Sequence, residues 1–509
     1  MNLDHGRIRL VWYGVTVFLS SAILLVLEIT AGRLLAPYVG VTIYSWTSII
    51  GVILAGLLLG NWLGGRWADS GTSDQATGVV LTLAGMFSIG SLLVLTLVAP
   101  VLQQTSLDLI SSSFLYVLSM FFIPAVLLGI PTPLLTTLAL QYDKRAGHVI
   151  GRMHALAALG SIVGTFVTGF VLIQYMGSQM VITSAAILLF VLAIPFFYRG
   201  PVLSLAIMIV LVATTSTVTY MRKGFVNPCH RESSYFCLRV VDSSGDVPYD
   251  HANALILDHL MHGINHTSEP RMLVSPYVHL MDELTVNHFG EDRKGLRYFF
   301  AGGGSYTQPR AVKAFDPQAH VTVAELDPVV TETVRKRMSV TTSDMRVLHG
   351  DARVSLNRLS EEYFDVIVTD AFHDIAIPYH LVTKEYLSLV RSRLSPGGLY
   401  TTNIVDAWPD PKMVKSMYKT LRSEFSHVYV WLDNIPQSPQ RMTFVISASD
   451  REIHDRQLYS QRGFRRTWHR VDGIIANMGT DIGDLSILTD NYVPVERLIA
   501  SLLMTEEGL

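Results

Sequence analysis

The sequence predicts two bodies in series: a bundle of membrane-spanning helices, then an α/β domain on a doubly wound, mostly parallel sheet. Three observations carry this. Residues 1–225 hold only 10 of the 39 Lys/Arg and 6 of the 42 Asp/Glu, leaving 29 and 36 for the rest. Half of the 509 residues are hydrophobic and 16% are charged, with mean hydropathy +0.35, too apolar for one ordinary globular domain. Beyond residue 290, strand-like and helix-like segments alternate, the pattern of a sheet covered on both faces.

Apolar runs near 10–32, 42–63, 77–99, 113–138, 151–174, 179–198 and 201–220 are each about 20 residues long, the length a helix needs to cross a bilayer. The first run is long and lacks a small-residue cleavage site, so it reads as a span and not as a cleavable signal peptide. The fourth contains "GIPTP", which predicts a kink or a break. Small residues in "GLLLGNWLGG" and "GSIVGTFVTG" let helices approach closely. Glu28, inside "LLVLEITAGRLL", is a carboxylate at membrane depth and a functional candidate, with Arg33 either pairing with it or snorkelling to the interface. "GNWLGGRWAD" at 60–69 resembles the short loop between the second and third helices of major facilitator transporters.

Residues 225–290 read as a small β-rich entry region with strands in "YFCLRVVD" and "NALILDH". From 291 to 509, "RYFFAGGG" is a strand entering a glycine turn and "QPRAVKAF" a short helix. "HVTVAELD", "MRVLHGDA", "FDVIVTDAF" and "GGLYTTNI" are further strands; "PVVTETVRKRM" and "LVTKEYLSLVRSRL" are helices. "HVYVWLD" and "QRMTFVISA" follow with no helix between them, which suggests an antiparallel edge of the kind found in nucleoside-cofactor transferases. The expected organisation is therefore a helical membrane domain over 1–224, the β region over 225–290, and a Rossmann-like domain of class I methyltransferase type over 291–509.

Ligands on such sheets bind at the carboxyl ends of the strands, and acids stand at three of them. Glu325 ends the second strand about 20 residues past the glycines, where a carboxylate accepts hydrogen bonds from both hydroxyls of a ribose. Asp351 ends the third in "GDAR", placed to receive an adenine amino group, and Asp370 ends the fourth in "TDAF". Gly302, Gly303 and Gly304 let the backbone approach the ligand. "GGGSYTQP" has neither the GxGxxG spacing nor a Walker lysine, so it is not a phosphate loop. Seven histidines between 230 and 288 show no zinc-motif spacing, and no metal site is expected.

The motifs "AGGGS", "VAELDP", "HGDAR", "DVIVTDAF…IP" and "LSPGGLY" resemble the spermidine synthase (polyamine aminopropyltransferase) family. "LDHLMHG", "LTDNYVPVERL" and "LLVLEITAGRLLAPYVG" resemble its membrane-fused branch, so the likeness runs through nearly the whole chain. It implies cofactor contacts from Gly302, Gly303, Gly304, Ser305, Glu325, Asp351 and Ala352, and a catalytic base at Asp370. Acceptor contacts are expected from Tyr235, Asp258, His262, Tyr277, His373, Asp374 and Pro378. The departures fall on the acceptor side. Soluble members carry an acid where Ser305 stands, a Gln at the place of Phe236 and a His at the place of Val278, and "DAFHDIAIP" displaces Asp374 by one position.

The implied chemistry is displacement at a carbon beside a sulfonium. No cofactor is held permanently. Decarboxylated S-adenosylmethionine, or S-adenosylmethionine itself, is the expected co-substrate. Three readings stay open: aminopropyl transfer to an amine such as putrescine; methyl or other alkyl transfer, or sulfonium cleavage, on the same fold; and a transporter or sensor that binds an adenosyl ligand without turnover. The expected partners are a small amine, the lipid bilayer and a second copy of the chain in a homodimer. The second half is mildly acidic, so nothing suggests nucleic acid as a partner and none is expected.

The expected location is the cell (inner) membrane, as a multi-pass protein. With the amino terminus in the cytoplasm, the interior side receives Arg7, Arg9, Arg66, Lys144, Arg145, Arg152 and Arg199, and the exterior loops before the seventh span only Arg33. Seven spans then put the α/β half outside, where Cys229 and Cys237 can oxidise to a bridge. The cytoplasmic supply of the cofactor, or a miscount at the fourth span, argues for the opposite side.

Overall fold

The computed structural model describes residues 2–105, 107–197, 202–359, 363–372 and 377–503. The chain divides into two compact units, Met1–Ser234 and Tyr235–Leu509.

Among the described residues the first unit holds seven helices long and apolar enough to cross a membrane: α1 Gly6–Val39, α2 Ile43–Asp69, α3 Asp74–Leu102, α4 Leu109–Tyr142, α5 Ala146–Met176, α6 Ser178–Phe197 and α7 Val202–Met221. The "GIPTP" stretch interrupts α4 without ending it. One helical segment stops at Gly129 and the next starts at Pro131, but Ile130 between them keeps helical angles (φ −63°, ψ −40°).

Glycines set the closest helix contacts. A Cβ on Gly60 would lie 2.1 Å from the Val126 carbonyl oxygen, and one on Gly160 would lie 2.0 Å from that of Phe18. These residues thus join α2 to α4 and α5 to α1 at a distance no larger side chain allows. Residues 60–69 belong to α2, which is helical to Asp69, so the loop resemblance there does not hold. The reason is that Gly60 and Gly64 are packing positions along α4.

Arg33 does not pair with Glu28; its Nη2 donates to the Ser233 carbonyl at 2.7 Å. The Glu232 carboxylate accepts from Ser178 Oγ at 2.8 Å and Asn227 Nδ2 at 2.6 Å. These bonds tie residues 225–234 to the helical unit, which moves the division ten residues beyond the expected 224. No free cysteine is left among the described residues: Cys229 and Cys237 are both disulfide-bonded.

In the second unit, strands β1 Cys237–Asp242, β2 Ala252–Leu257 and β3 Leu260–His266 form a small antiparallel sheet. Helix α8 Pro276–Phe289 leads into the main sheet. Its strands are β4 Arg297–Ala301, β5 His320–Glu325, β6 Arg346–His349, β7 Phe364–Thr369, β8 Leu394–Trp408, β9 His427–Leu432, β10 Gln440–Ser449, β11 Gln457–Tyr459 and β12 Thr467–Arg470. The order across the sheet is β11-β12-β9-β10-β8-β7-β4-β5-β6. β8, β7, β4, β5 and β6 pair in parallel; β10 inserts antiparallel between β8 and β9. This is the Rossmann-like, methyltransferase-type arrangement expected. The late antiparallel strand lies inside the sheet, not on an outlying hairpin, because β9 returns parallel to the core after the helix Lys412–Arg422.

The crossover helices are α9 Thr307–Phe315, α10 Pro328–Arg337, α11 Ala352–Arg358, α12 Lys384–Arg393 and α13 Lys412–Arg422. α10 shows why such segments start where they do. Pro328 sits in its first turn, Asp327 accepts from Val329 N at 2.9 Å, and Arg335, Lys336 and Arg337 close the last turn against the helix dipole. The core between helices and sheet is Val323, Val330, Val334, Val366, Val368 and neighbours, all nearly fully buried.

Candidate active site

Three backbone hydrogen bonds carry the parallel ladder past the strands and fix the positions of the acids. Gly302 N donates to Ala324 O at 2.9 Å, Gly350 N to Glu325 O at 3.0 Å and Asp370 N to Ala301 O at 3.0 Å. The ends of β4, β5, β6 and β7 therefore meet at one rim. The cleft there is lined by Gly302, Gly304, Glu325, Asp351, Ala352 and Asp370, with Phe236, Leu257, Leu326, Phe372, Pro378 and Leu381 as apolar walls.

Gly302 has φ +103°, and a Cβ there would stand 2.2 Å from the Asp370 carbonyl oxygen. Only glycine fits both requirements. Tyr306 adopts the left-handed conformation (φ 56°) in the same turn. Burial and a 2.8 Å hydrogen bond between its hydroxyl and Thr331 Oγ1 hold it there.

Glu325 is buried, and its carboxylate is gripped by backbone amides: Gly303 N and Gly304 N reach Oε2 at 2.8 and 3.2 Å, and Asp327 N reaches Oε1 at 2.9 Å. Burial raises its pKa above the usual carboxylate value, and the amides oppose that rise. Asp351 caps α11 through Val354 N (2.8 Å) and takes His380 Nε2 on Oδ2 at 2.6 Å. The His380 hydrogen bond is the main reason its pKa is lowered. Asp370 differs from both. Burial of its carboxyl pushes the pKa up to about 6, with hydrogen bonds from Asn403 and Tyr277 pulling back. An enclosed carboxyl poised near neutrality is suited to proton transfer.

Ser305 lines a small pocket beside Asp370 and is also held by the protein. Its Oγ donates to the His262 carbonyl at 3.1 Å and lies 2.7 Å from Thr307 Oγ1, which donates to Asn265 Oδ1 at 2.8 Å. Gly263 makes room for it: a Cβ there would be 2.0 Å from Ser305 Oγ. The serine anchors the glycine turn on β3, where family resemblance placed a charged contact.

Of the expected acceptor residues, His262 and Pro378 line the cleft and Tyr277 bonds to Asp370. Asp258 does not reach it. This residue turns β2 into β3 at φ 54°, and its carboxylate accepts from Cys237 N at 2.8 Å, so it holds the small sheet together. Tyr235 is 38% exposed, packs beside Phe236 and is not among the lining residues. His373 and Asp374 lie outside the described residues. Two site residues escaped the sequence reading. His380 sits in "IPYH" with no pattern to mark it. Asn403 had a signal: "TTN" places three polar residues, all buried, in an otherwise apolar strand.

The parallel sheet, with carboxylates at successive strand ends around a glycine turn, is a Rossmann-like arrangement of methyltransferase type. Residues 297–457 match the spermine/spermidine synthase domain. A polyamine aminopropyltransferase of Vibrio vulnificus is 34% identical over 172 residues, covering 33% of this chain and 54% of the relative. An eEF1A lysine and N-terminal methyltransferase of Danio rerio is 34% identical over 138 residues, covering 25% of this chain and 19% of the relative. The chain spans about half the length of the curated aminopropyltransferases it matches first. The crystal structure of a probable spermidine synthase from Corynebacterium glutamicum superposes on 52% of this chain and 97% of its own, with TM-score 0.44 and 19% identity.

Proposed function

We propose that the α/β domain transfers an aminopropyl group from decarboxylated S-adenosylmethionine to an amine such as putrescine, releasing methylthioadenosine. The observation that carries this reading is Asp370: a carboxyl enclosed at the end of β7, held by Tyr277 and Asn403, with its pKa pushed up to about 6. An alkylammonium has a pKa near ~10 and must lose a proton before it attacks. Asp370 accepts that proton. The freed nitrogen lone pair forms the new C–N bond, the C–S bond breaks, and its electron pair neutralises the sulfonium as a thioether. Glu325 keeps one acceptor site on Oε1 beside its three backbone amides and takes a ribose hydroxyl there, and Asp351, oriented by His380, takes the adenine amino group. Apolar walls exclude water and hold the reactants in line.

A second reading keeps the fold and uses S-adenosylmethionine itself. Ser305 favours it. A carboxylate at that position would repel the carboxylate of the intact cofactor, and the serine hydroxyl does not. The likeness to a methyltransferase over 138 residues points the same way.

One experiment separates the two. Purified full-length protein is incubated with each sulfonium cofactor and a panel of amines, and products are identified by mass. Methylthioadenosine together with an aminopropylated amine supports the first reading. Adenosylhomocysteine supports the second. No product from either cofactor overturns both.

We further propose that the chain lies in the inner membrane with the α/β domain outside the cytoplasm. By sequence, Arg7, Arg9, Arg66, Lys144, Arg145 and Arg152 fall on the side of the amino terminus, against Arg33, Arg222 and Lys223 on the other, and both cysteines are disulfide-bonded.

A further inference from the structure

The helical unit contains a cavity of about 710 Å³ lined by α1, α2, α4 and α5. It reaches from Leu140 and Ile150, beside the α4–α5 turn, to Ser21 and Ser161 near the middle of their helices. Seven polar side chains line it: Ser21, Asn61, Thr132, Thr136, Thr137, His154 and Ser161. Thr136 Oγ1 donates to the Thr132 carbonyl at 2.7 Å, and the other six side chains make no hydrogen bond or ion pair within the protein among the described residues. At membrane depth an unsatisfied polar group costs free energy, so six of them facing one space call for a polar occupant there.

The lining selects the occupant's chemistry. It offers hydroxyl and amide oxygens between apolar walls such as Leu24, Leu25 and Leu57, and it contains no Lys or Arg. An anionic group such as a phosphate or carboxylate finds no fixed counter-charge. One carboxyl follows the lining residues of α1 in sequence without itself lining the cavity. Glu28 lies one turn beyond Leu25 on the same face of α1, and it makes no hydrogen bond or ion pair among the described residues. Oxygens for an N–H donor, apolar walls for methylenes and a carboxylate for a positive charge together match an alkylammonium chain.

We propose that this cavity binds a water-soluble di- or polyamine within the membrane half of the chain, with Asn61 and the hydroxyls solvating the ammonium and Glu28 supplying the counter-charge. The site is separate from the nucleoside cleft and does not depend on turnover there.

The test uses the full-length protein in nanodiscs, with Ala158→Cys or, as a second reporter, Ala157→Cys, both lining positions. The native cysteines are disulfide-bonded, so the added thiol is the reactive one. Its modification by a methanethiosulfonate is followed with and without putrescine or spermidine. The amines are expected to slow modification at least fivefold, and butane-1,4-diol to leave it unchanged. Protection should vanish in Glu28→Gln and in Asn61→Leu, and persist in Asp370→Asn, which alters only the other domain. Four results would overturn the proposal: no reaction at either cysteine; equal rates with and without amine, the mark of a water-filled vestibule only; protection by the diol or by phosphatidylethanolamine in the nanodisc alone; or loss of protection in Asp370→Asn, which would place the amine's effect in the α/β domain.

Discussion

Two carboxylates in one cleft have different duties because their surroundings differ. Glu325 is held by three backbone amides, which suits a permanent acceptor. Replacing it with Gln is expected to weaken methylthioadenosine binding by about 1–3 kcal/mol, the range for a hydrogen bond to a charged group, as read by calorimetry. Asp370 has Tyr277 and Asn403 as partners, and burial lifts its pKa to about 6. Asp370→Asn keeps the shape and removes the basicity, so turnover should be abolished while methylthioadenosine affinity stays within a few-fold. In the wild type the base works only when ionised. Activity should therefore be full above about pH 7 and fall with a slope of one below pH 6 in a kcat/KM profile at saturating cofactor. An acid limb centred near pH 4 would mean that Asp370 is not enclosed during turnover.

At the scale of elements, the glycine turn rests on one backbone contact more than on flexibility. Gly302 combines a positive φ with so close an approach that any Cβ would stand 2.2 Å from the Asp370 carbonyl oxygen; Gly295 has φ +73° with open space around it. Gly295→Ala should cost about 1–3 kcal/mol of backbone strain and leave the cleft intact. Gly302→Ala carries the same strain and also pushes β4 from β7, so methylthioadenosine binding should be lost. Equal affinity in the two variants would contradict the contact. The strands at 297–301, 320–325 and 364–369 were legible because apolar runs ended in glycine or acid. The helix Lys412–Arg422 was passed over, since "KMVKSMYKTLR" spreads its apolar residues among lysines, and the strand Leu260–His266 was hidden by its two histidines and a glycine.

For the whole molecule, the open matter is which side of the membrane the α/β domain faces. Helix ends at Arg9, Asp74 and Tyr142 meet through hydrogen bonds (Arg9 Nη1 to Asp74 at 2.7 Å and to the Tyr142 hydroxyl at 2.9 Å), so the starts of α1 and α3 and the end of α4 share one side of the bundle. That makes the kinked α4 a single crossing, so three further spans leave the total at seven. Labelling of intact cells with a membrane-impermeant maleimide should therefore modify Cys229 and Cys237 only after reduction. Modification only after lysis, with no reductant needed, would put the domain in the cytoplasm.

The two bodies, the seven apolar helices, the acids at the strand ends and the likeness to spermidine synthases were all readable in the sequence alone. Length of apolar runs, alternation and motif spacing are local properties that survive without coordinates. Tertiary structure decided which polar residues have work to do. Ser305, Asp258 and Arg33 are spent on backbone carbonyls and amides that only the fold brings near them. His380 and Asn403 enter the site from segments 29 and 33 residues away from the acids they contact. The polar cavity between α1, α2, α4 and α5 gathers residues 21 to 161 of the chain. Such partnerships depend on distances between segments remote in sequence, and no one-dimensional pattern encodes them.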